Sequence, residues 1–225
     1  MTTCVDSPFR HPLLRHDWAW LHPDWRAHME APLPSGREDI VEAWRRRGLP
    51  FVVARGREND PAGSVRLGLS LPDRRRVSLH VNARAVARRA GPPALREAIP
   101  AAPAAWRESL IRLDEAAAAI GAAARVYGSL AWLLCSGEAF LQASSDIDLL
   151  FAPDGRAQAE ALLGILTQAP EPPSLDGEFL LPGGWGVAWR ELARRPPSVL
   201  LKGQKRLELR SPEQVLIALE SGREP

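Results

Sequence analysis

Tyr127-Gly128-Ser129, followed after a 16-residue gap by Asp146-Ile147-Asp148-Leu149-Leu150-Phe151, decides how this chain reads. The second stretch predicts a strand over 146–151, bounded by Pro153. Residues two apart on a strand face the same way. Asp146 and Asp148 then lie side by side, about 6.5–7 Å apart along the backbone. Ile147, Leu149 and Phe151 point the other way, into a core. Two carboxylates on one face repel each other, and a divalent cation relieves that repulsion best. Magnesium takes carboxylate, phosphate and water oxygens. Two such ions, about 3.5–4 Å apart, can clamp a phosphoryl group during in-line displacement.

Working outward, a short strand over 125–127 precedes Gly128-Ser129, and a helix is predicted over 130–136. Glycine after a strand lets a ligand approach the backbone. The free N–H groups of the following helix favour a phosphate, and the Ser129 hydroxyl adds a donor. Strand, Gly-Ser, helix, then a strand with Asp-x-Asp builds a metal–triphosphate site. This order resembles the nucleotidyltransferase (DNA-polymerase-β-like) superfamily. That superfamily usually adds a third carboxylate on a later strand. Here a strand over 174–181 offers Asp176 and Glu178 on one face, with Leu175 and Phe179 on the other. One of the pair would complete the metal site and act as general base, with slight preference for Asp176; the alternative is the charged outer face of an edge strand. Lys202, Lys205 and Arg206 flank a hairpin predicted around Gly203-Gln204. They would neutralise the triphosphate or the leaving pyrophosphate, or simply be solvated at a turn.

The rest of the chain sets the frame. Its 225 residues fit one large or two small domains, and 45% apolar with 25% charged residues is ordinary for a soluble globular chain. The longest uncharged apolar run, Val126 to Gly137, has 12 residues, where a membrane span needs about 20. No signal-peptide pattern opens the sequence. Two cysteines, Cys4 and Cys135, suit a reducing cytoplasm, and Cys135 reads as a buried inert thiol. Of 29 basic side chains only Lys202 and Lys205 are lysine. Residues 1–110 hold 18 arginines against 12 acids, whereas residues 111–225 are net acidic. A basic half suggests an anionic partner. The runs at 45–47 and 74–76 lack the motifs of nucleic-acid binders. His11, His16, His22 and His28 have no metal-ligand spacing.

Residues 1–34 read as an extended segment. A helix over 35–48, strands over 51–55, 65–71 and 75–81, and a short helix over 83–89 follow. Four prolines mark 91–103 as a linker. Helices over 104–120 and 155–169 come next. Ser211-Pro212-Glu213-Gln214 is a helix start. The fold class is α+β: an N-terminal α+β domain over 1–100, then a nucleotidyltransferase-like mixed sheet with flanking helices over 104–225.

Several segments together resemble one family along nearly the whole chain. They include Arg15-His16-Asp17, Leu49 to Arg55, Leu67 to Pro72 and Tyr127-Gly128-Ser129-Leu130-Ala131-Trp132. Trp20-Leu21, Arg74-Arg75-Arg76, Ser144-Ser145-Asp146-Ile147-Asp148-Leu149-Leu150, Asp176-Gly177-Glu178 and Trp189-Arg190-Glu191-Leu192 complete the set. The family is the malonate decarboxylase holo-acyl-carrier-protein synthases, or phosphoribosyl-dephospho-CoA transferases. The resemblance implies a cytoplasmic enzyme acting on 2′-(5″-triphosphoribosyl)-3′-dephospho-CoA. A serine of the apo acyl-carrier subunit of malonate decarboxylase would attack the phosphate nearest the ribose, and pyrophosphate would leave. Asp146 and Asp148 would bind Mg²⁺, as two ions when substrate is bound, while Gly128 and Ser129 hold the triphosphate. No nucleic acid or membrane is implied as a partner. The alternatives are a nucleotidyltransferase using ATP and an inert carrier-binding module of the same fold.

Overall fold

A computed structural model describes residues 13–225, so Cys4 and His11 lie outside the described part. The chain forms two compact units, Met1–Pro92 and Pro93–Pro225.

The first unit contains β1 (Trp18–Leu21), α1 (Arg37–Arg46), β2 (Phe51–Ala54), β3 (Ser64–Ser70), β4 (Arg76–Asn82) and β5 (Val86–Ala90). All strand pairings are antiparallel, in the order β4-β3-β2-β1-β5. Strict alternation puts Phe51, Val53, Val65, Leu67, Leu69, Val77, Leu79 and Val81 on one buried face. The stretch expected to be merely extended supplies β1, which runs between β2 and β5. The helix expected over 83–89 is instead one 3-10 turn, Ala83–Ala85, running into β5. Asn82 caps that turn through Arg84 N–H at 3.1 Å. Pairing with β1, and Arg88 stacked 3.5 Å from the centre of the Trp20 ring, then hold the following residues extended. The loop before β3 is pinned by Asp60, which accepts from Arg66 at 2.7 and 2.6 Å and from Arg57 N–H at 2.7 Å.

The second unit begins at Pro93, eleven residues earlier than the proline count predicts. Within 91–103, Leu95 and Ala98 of α2 (Leu95–Ala98) are fully buried. Leu95 N–H donates to Ala124 O, and Val126 N–H to Pro93 O, each at 2.9 Å. The prolines therefore shape a packed segment rather than a loose linker.

The remaining elements are α3 (Ala104–Ala119), β6 (Arg125–Tyr127), α4 (Gly128–Ser136), β7 (Ile147–Phe151), α5 (Arg156–Thr167), β8 (Leu175–Leu181), β9 (Trp185–Ala188), α6 (Trp189–Ala193), β10 (Val199–Lys202), β11 (Leu207–Arg210) and α7 (Pro212–Ser221). The six strands form one sheet in the order β11-β10-β9-β8-β7-β6. Only β7 and β8 are parallel, and α5 connects them. This is an α+β architecture built on a mixed sheet.

Ile147, Leu149 and Phe151 are buried as expected, but Leu150 is buried as well, so both faces of β7 are covered beyond Asp148. The rings of Phe151 and Phe179 meet edge to face at 6.1 Å. Ser211 and Gln214 form the reciprocal cap of α7, at 3.2 and 2.9 Å. β9 and α6 have no local signal in the sequence, because Trp185 to Ala193 shows neither clean alternation nor a helical stripe. Among the described residues no helix is long and apolar enough to cross a membrane.

Truncating Phe179, which is wholly buried under Phe151, costs about 3–5 kcal/mol of folding free energy. A urea midpoint for Phe179→Ala measures this.

Candidate active site

Gly128 is where the site is assembled. Its φ of +64° is left-handed, the region glycine adopts without strain. A Cβ on this residue would collide with the Asp148 carboxylate. Glycine at the start of α4 therefore lets Asp148 sit directly against the helix opening. Strand register does the rest. Asp148 lies opposite Tyr127 on β6 and beside Asp176 on β8. Neighbouring strands are about 4.8 Å apart, so Asp148 and Asp176 stand shoulder to shoulder on one face.

β7 begins at Ile147, so Asp146 lies one residue before the strand rather than on it, and it is exposed. It remains close enough to act on Asp148 electrostatically. The turn feeding it is closed by Ser145, whose hydroxyl accepts from Gln142 N–H at 2.9 Å. Ile147 N–H donates to Ser174 O at 2.9 Å, carrying the β7–β8 pairing to the edge of the site.

Gly177, between Asp176 and Glu178, has φ +135°, and a Cβ there would collide with the Leu149 backbone. The Asp-Gly-Glu triplet thus needs its glycine for strand contact, a requirement that period-two reasoning does not detect. Two further residues brace this end of the sheet. Arg190 donates to Leu175 O and, at 3.0 Å, to the Ser174 hydroxyl. Glu191 accepts from Leu200 N–H at 3.3 Å. The Trp-Arg-Glu-Leu segment was visible in the sequence, but its clamping role was not.

Glu178 stands apart from the aspartates. It is only 4% exposed and accepts from Lys202 Nζ at 2.8 Å. The predicted hairpin is present, with Gly203 N–H closing it on Arg206 O at 2.9 Å. However, Lys202 is level with Gly186 and Leu180, roughly 13 Å of strand rise beyond Asp176. Lys205 and Arg206 lie further on, in the turn at the opposite end of the sheet from Asp148. The structure therefore gathers Gly128, Ser129, Asp146, Asp148 and Asp176, and leaves Lys205 and Arg206 away from them. Closeness in sequence to Lys202 had suggested otherwise, but strand direction decides the matter.

Burial above all, then the carboxylates of Asp176, Asp146 and Glu178, raises Asp148 from an ordinary 3.8 to about 7. Concentrated negative charge beside a helix opening, with little solvent, is what a divalent cation neutralises. Among the described residues no three His, Cys, Asp or Glu side chains already form a ligand set. A cation here would take one or two carboxylates and draw its other ligands from phosphate and water, which is how magnesium is usually held.

The chain also matches known proteins. Residues 14–92 match the model of the phosphoribosyl-dephospho-CoA transferase MdcG N-terminal domain, and residues 94–213 that of the MdcG C-terminal domain. A phosphoribosyl-dephospho-CoA transferase of Xanthomonas campestris is 38% identical over 193 residues, 84% of this chain and 89% of the relative. One of Bradyrhizobium diazoefficiens is 33% identical over 214 residues, 91% of this chain and 94% of the relative. No solved structure matches. With transferases aligned over most of its length, the chain falls in an enzyme class rather than among inert modules. It belongs to the phosphoribosyl-dephospho-CoA transferase family.

The raised Asp148 value has a thermodynamic consequence. Because the folded-state value exceeds the unfolded one, this group's stabilising contribution is full at low pH and is lost as pH rises through about 7. Asp148→Asn without divalent cation therefore melts higher than wild type at pH 8. The gain disappears as pH falls toward about 4, and thermal unfolding across that range checks it.

Proposed function

We propose that this chain transfers the phosphoribosyl-dephospho-CoA group from 2′-(5″-triphosphoribosyl)-3′-dephospho-CoA to a serine of the apo acyl-carrier subunit of malonate decarboxylase, releasing pyrophosphate. The single observation that carries the reading is Asp148, held in register between Tyr127 and Asp176 against the Gly128 opening of α4. A six-stranded mixed sheet bearing this arrangement supports a nucleotidyltransferase-like domain, and the family match supports the donor.

The carrier serine Oγ bonds to the phosphorus nearest the ribose. The bond from that phosphorus to the bridging oxygen of the next phosphate breaks, and pyrophosphate leaves with the electron pair. Ser129 and the N–H groups opening α4 cradle the departing phosphates. Asp176, beside Asp148 and not engaged by Lys202, takes the serine proton. Asp148 and Asp146 are the residues that would hold Mg²⁺, with Asp176 at its edge; when bound, the ion offsets charge on the phosphoryl oxygens. The donor set of closely spaced carboxylates in a half-buried place fits it. The surplus of arginine in the N-terminal unit, 16 against 10 acids over residues 1–92, suits docking of an acidic carrier.

The test is a mass measurement of apo carrier after incubation with enzyme, Mg²⁺ and the triphosphoribosyl donor, with ATP as a parallel donor. Carrier gains the mass of the phosphoribosyl-dephospho-CoA group from the first donor and nothing from ATP. Asp148→Asn and Asp176→Asn each slow transfer by at least about 10²–10³ while folding normally by circular dichroism. Unmodified carrier, or adenylylated carrier, rejects the proposed donor. Transfer at the wild-type rate by Asp148→Asn removes that carboxylate from the chemistry.

A further inference from the structure

A strand at the surface ordinarily turns apolar side chains to the core and polar ones to water. The edge strand β11 does the reverse. Glu208 and Arg210 stand opposite Leu201 and Val199, which are wholly buried, and they bond to each other on that face. Leu207 and Leu209 face the other way and are 49% and 62% exposed. They are two of the four large apolar side chains exposed among the described residues. Leu200, half-buried, lies directly opposite Leu209. A lone exposed leucine needs no explanation, but three adjoining ones form a patch, and such patches mark contacts.

The leucines share a face with the candidate carboxylates. Lys202 is paired with Leu207 and with Gly186, and its ammonium reaches Glu178 across β9 at 2.8 Å. Glu178 lies two residues from Asp176 on β8. Leu207, and with it Leu200 and Leu209, is therefore on the Asp176 side of the sheet. Two strand spacings and two residues of rise put Leu200 about 12 Å from Asp176, and a third spacing puts Leu209 about 16 Å away. On this face β9 contributes only Gly186 and Ala188, so no bulky side chain of that strand stands between. Cations rim the patch. Lys202 is beside Leu207, and Lys205 and Arg206 fill the turn that leads into it, with Arg206 exposed. Glu208 is turned to the other face, and nearby Glu191 accepts from Leu200 N–H.

Reaction geometry points to the occupant. In an in-line displacement the attacking and leaving oxygens lie on opposite sides of phosphorus. The proposed reaction sets the departing phosphates at the α4 opening, beside β6, and gives the serine proton to Asp176 on β8. The serine then arrives from the β8 side, over β9, β10 and β11. We infer that Leu200, Leu207 and Leu209, with Lys202 and Arg206 at their rim, are the footing of the apo carrier: an acidic surface with an apolar centre docks there and presents its serine to Asp176. A standard interface covers about 800 Å² on each partner, enough to reach from Leu209 to Asp176. The inference rests on the transfer reaction proposed above and names where its acceptor binds. Net charge elsewhere on the chain steers approach, whereas packed contacts near the reacting atoms hold the complex.

Steady-state transfer and sedimentation velocity on the full chain test it. Leu207→Ser/Leu209→Ser, at exposed positions, keeps the wild-type circular dichroism and raises the KM for apo carrier at least about tenfold, as loss of an apolar anchor does. Its kcat at saturating carrier and its KM for the triphosphoribosyl donor stay within about twofold of wild type. Arg206→Glu raises the carrier KM about fivefold at low salt, and high salt erases the difference. An unchanged carrier KM in the leucine variant overturns the footing and leaves the reaction standing. A raised donor KM with unchanged carrier KM also overturns it, and assigns the leucines to the donor's pantetheine arm. A wild-type dimer that the leucine substitutions split into monomers overturns it too, making this face a contact between copies. If the leucine variant does not fold, Arg206→Glu decides: a salt-sensitive rise in carrier KM supports the footing, and an unchanged value overturns it. Wild-type protein that transfers nothing to the carrier overturns the proposed reaction and the footing together.

Discussion

Asp148 and Asp176 are held one strand apart at the end of an apolar sheet, both half-buried. Like charges at that separation, partly desolvated, oppose each other and oppose folding. The rest of the second unit is arranged to hold them there regardless. Ile147, Leu149, Phe151 and Phe179 bury the opposite faces of their strands. Gly128 and Gly177 permit the close approaches on either side, and Arg190 and Glu191 brace the strand starts from α6. Stability taken from the hydrophobic core is committed to a site whose own electrostatics are unfavourable until charge is neutralised.

The second carboxylate on β8 has a different fate. Glu178 differs from Asp176 by one methylene and two positions, yet it is buried and matched to a cation across a neighbouring strand. Two acids on the same face of one strand thus sit in different surroundings, because what faces them across the sheet differs. The first unit is built differently. Its antiparallel sheet has one apolar face, while the paired Trp20 and Arg88 lie on the other.

Much of the second unit was legible because its signals are local. Alternation in Ile147-Asp148-Leu149 marked β7 to within one residue. Gly-Ser after Val-Tyr marked the strand–helix junction, and Ser-Pro-Glu-Gln marked α7. Signals that depend on distant partners were not legible. Arg88-Arg89-Ala90 has no strong preference for a strand, and β1 supplies the pairing that makes it one. The four prolines of 91–103 suggested a break, but Leu95 and Ala98 found a core to enter. Lys202, Lys205 and Arg206 are neighbours in sequence, and strand direction separates them from Asp148.

The sequence by itself singled out the candidate site residues, namely the Gly128-Ser129 pair, the Asp-x-Asp stretch and the acids near 176, along with the α+β class. Side-chain type and the period of a strand are properties of the chain alone. Only the tertiary structure decided which acid stands beside Asp148, which is neutralised by Lys202, and which cations are out of reach. Those outcomes depend on register and direction between strands far apart in sequence, and hydrogen bonding across the sheet fixes both only once the chain has folded.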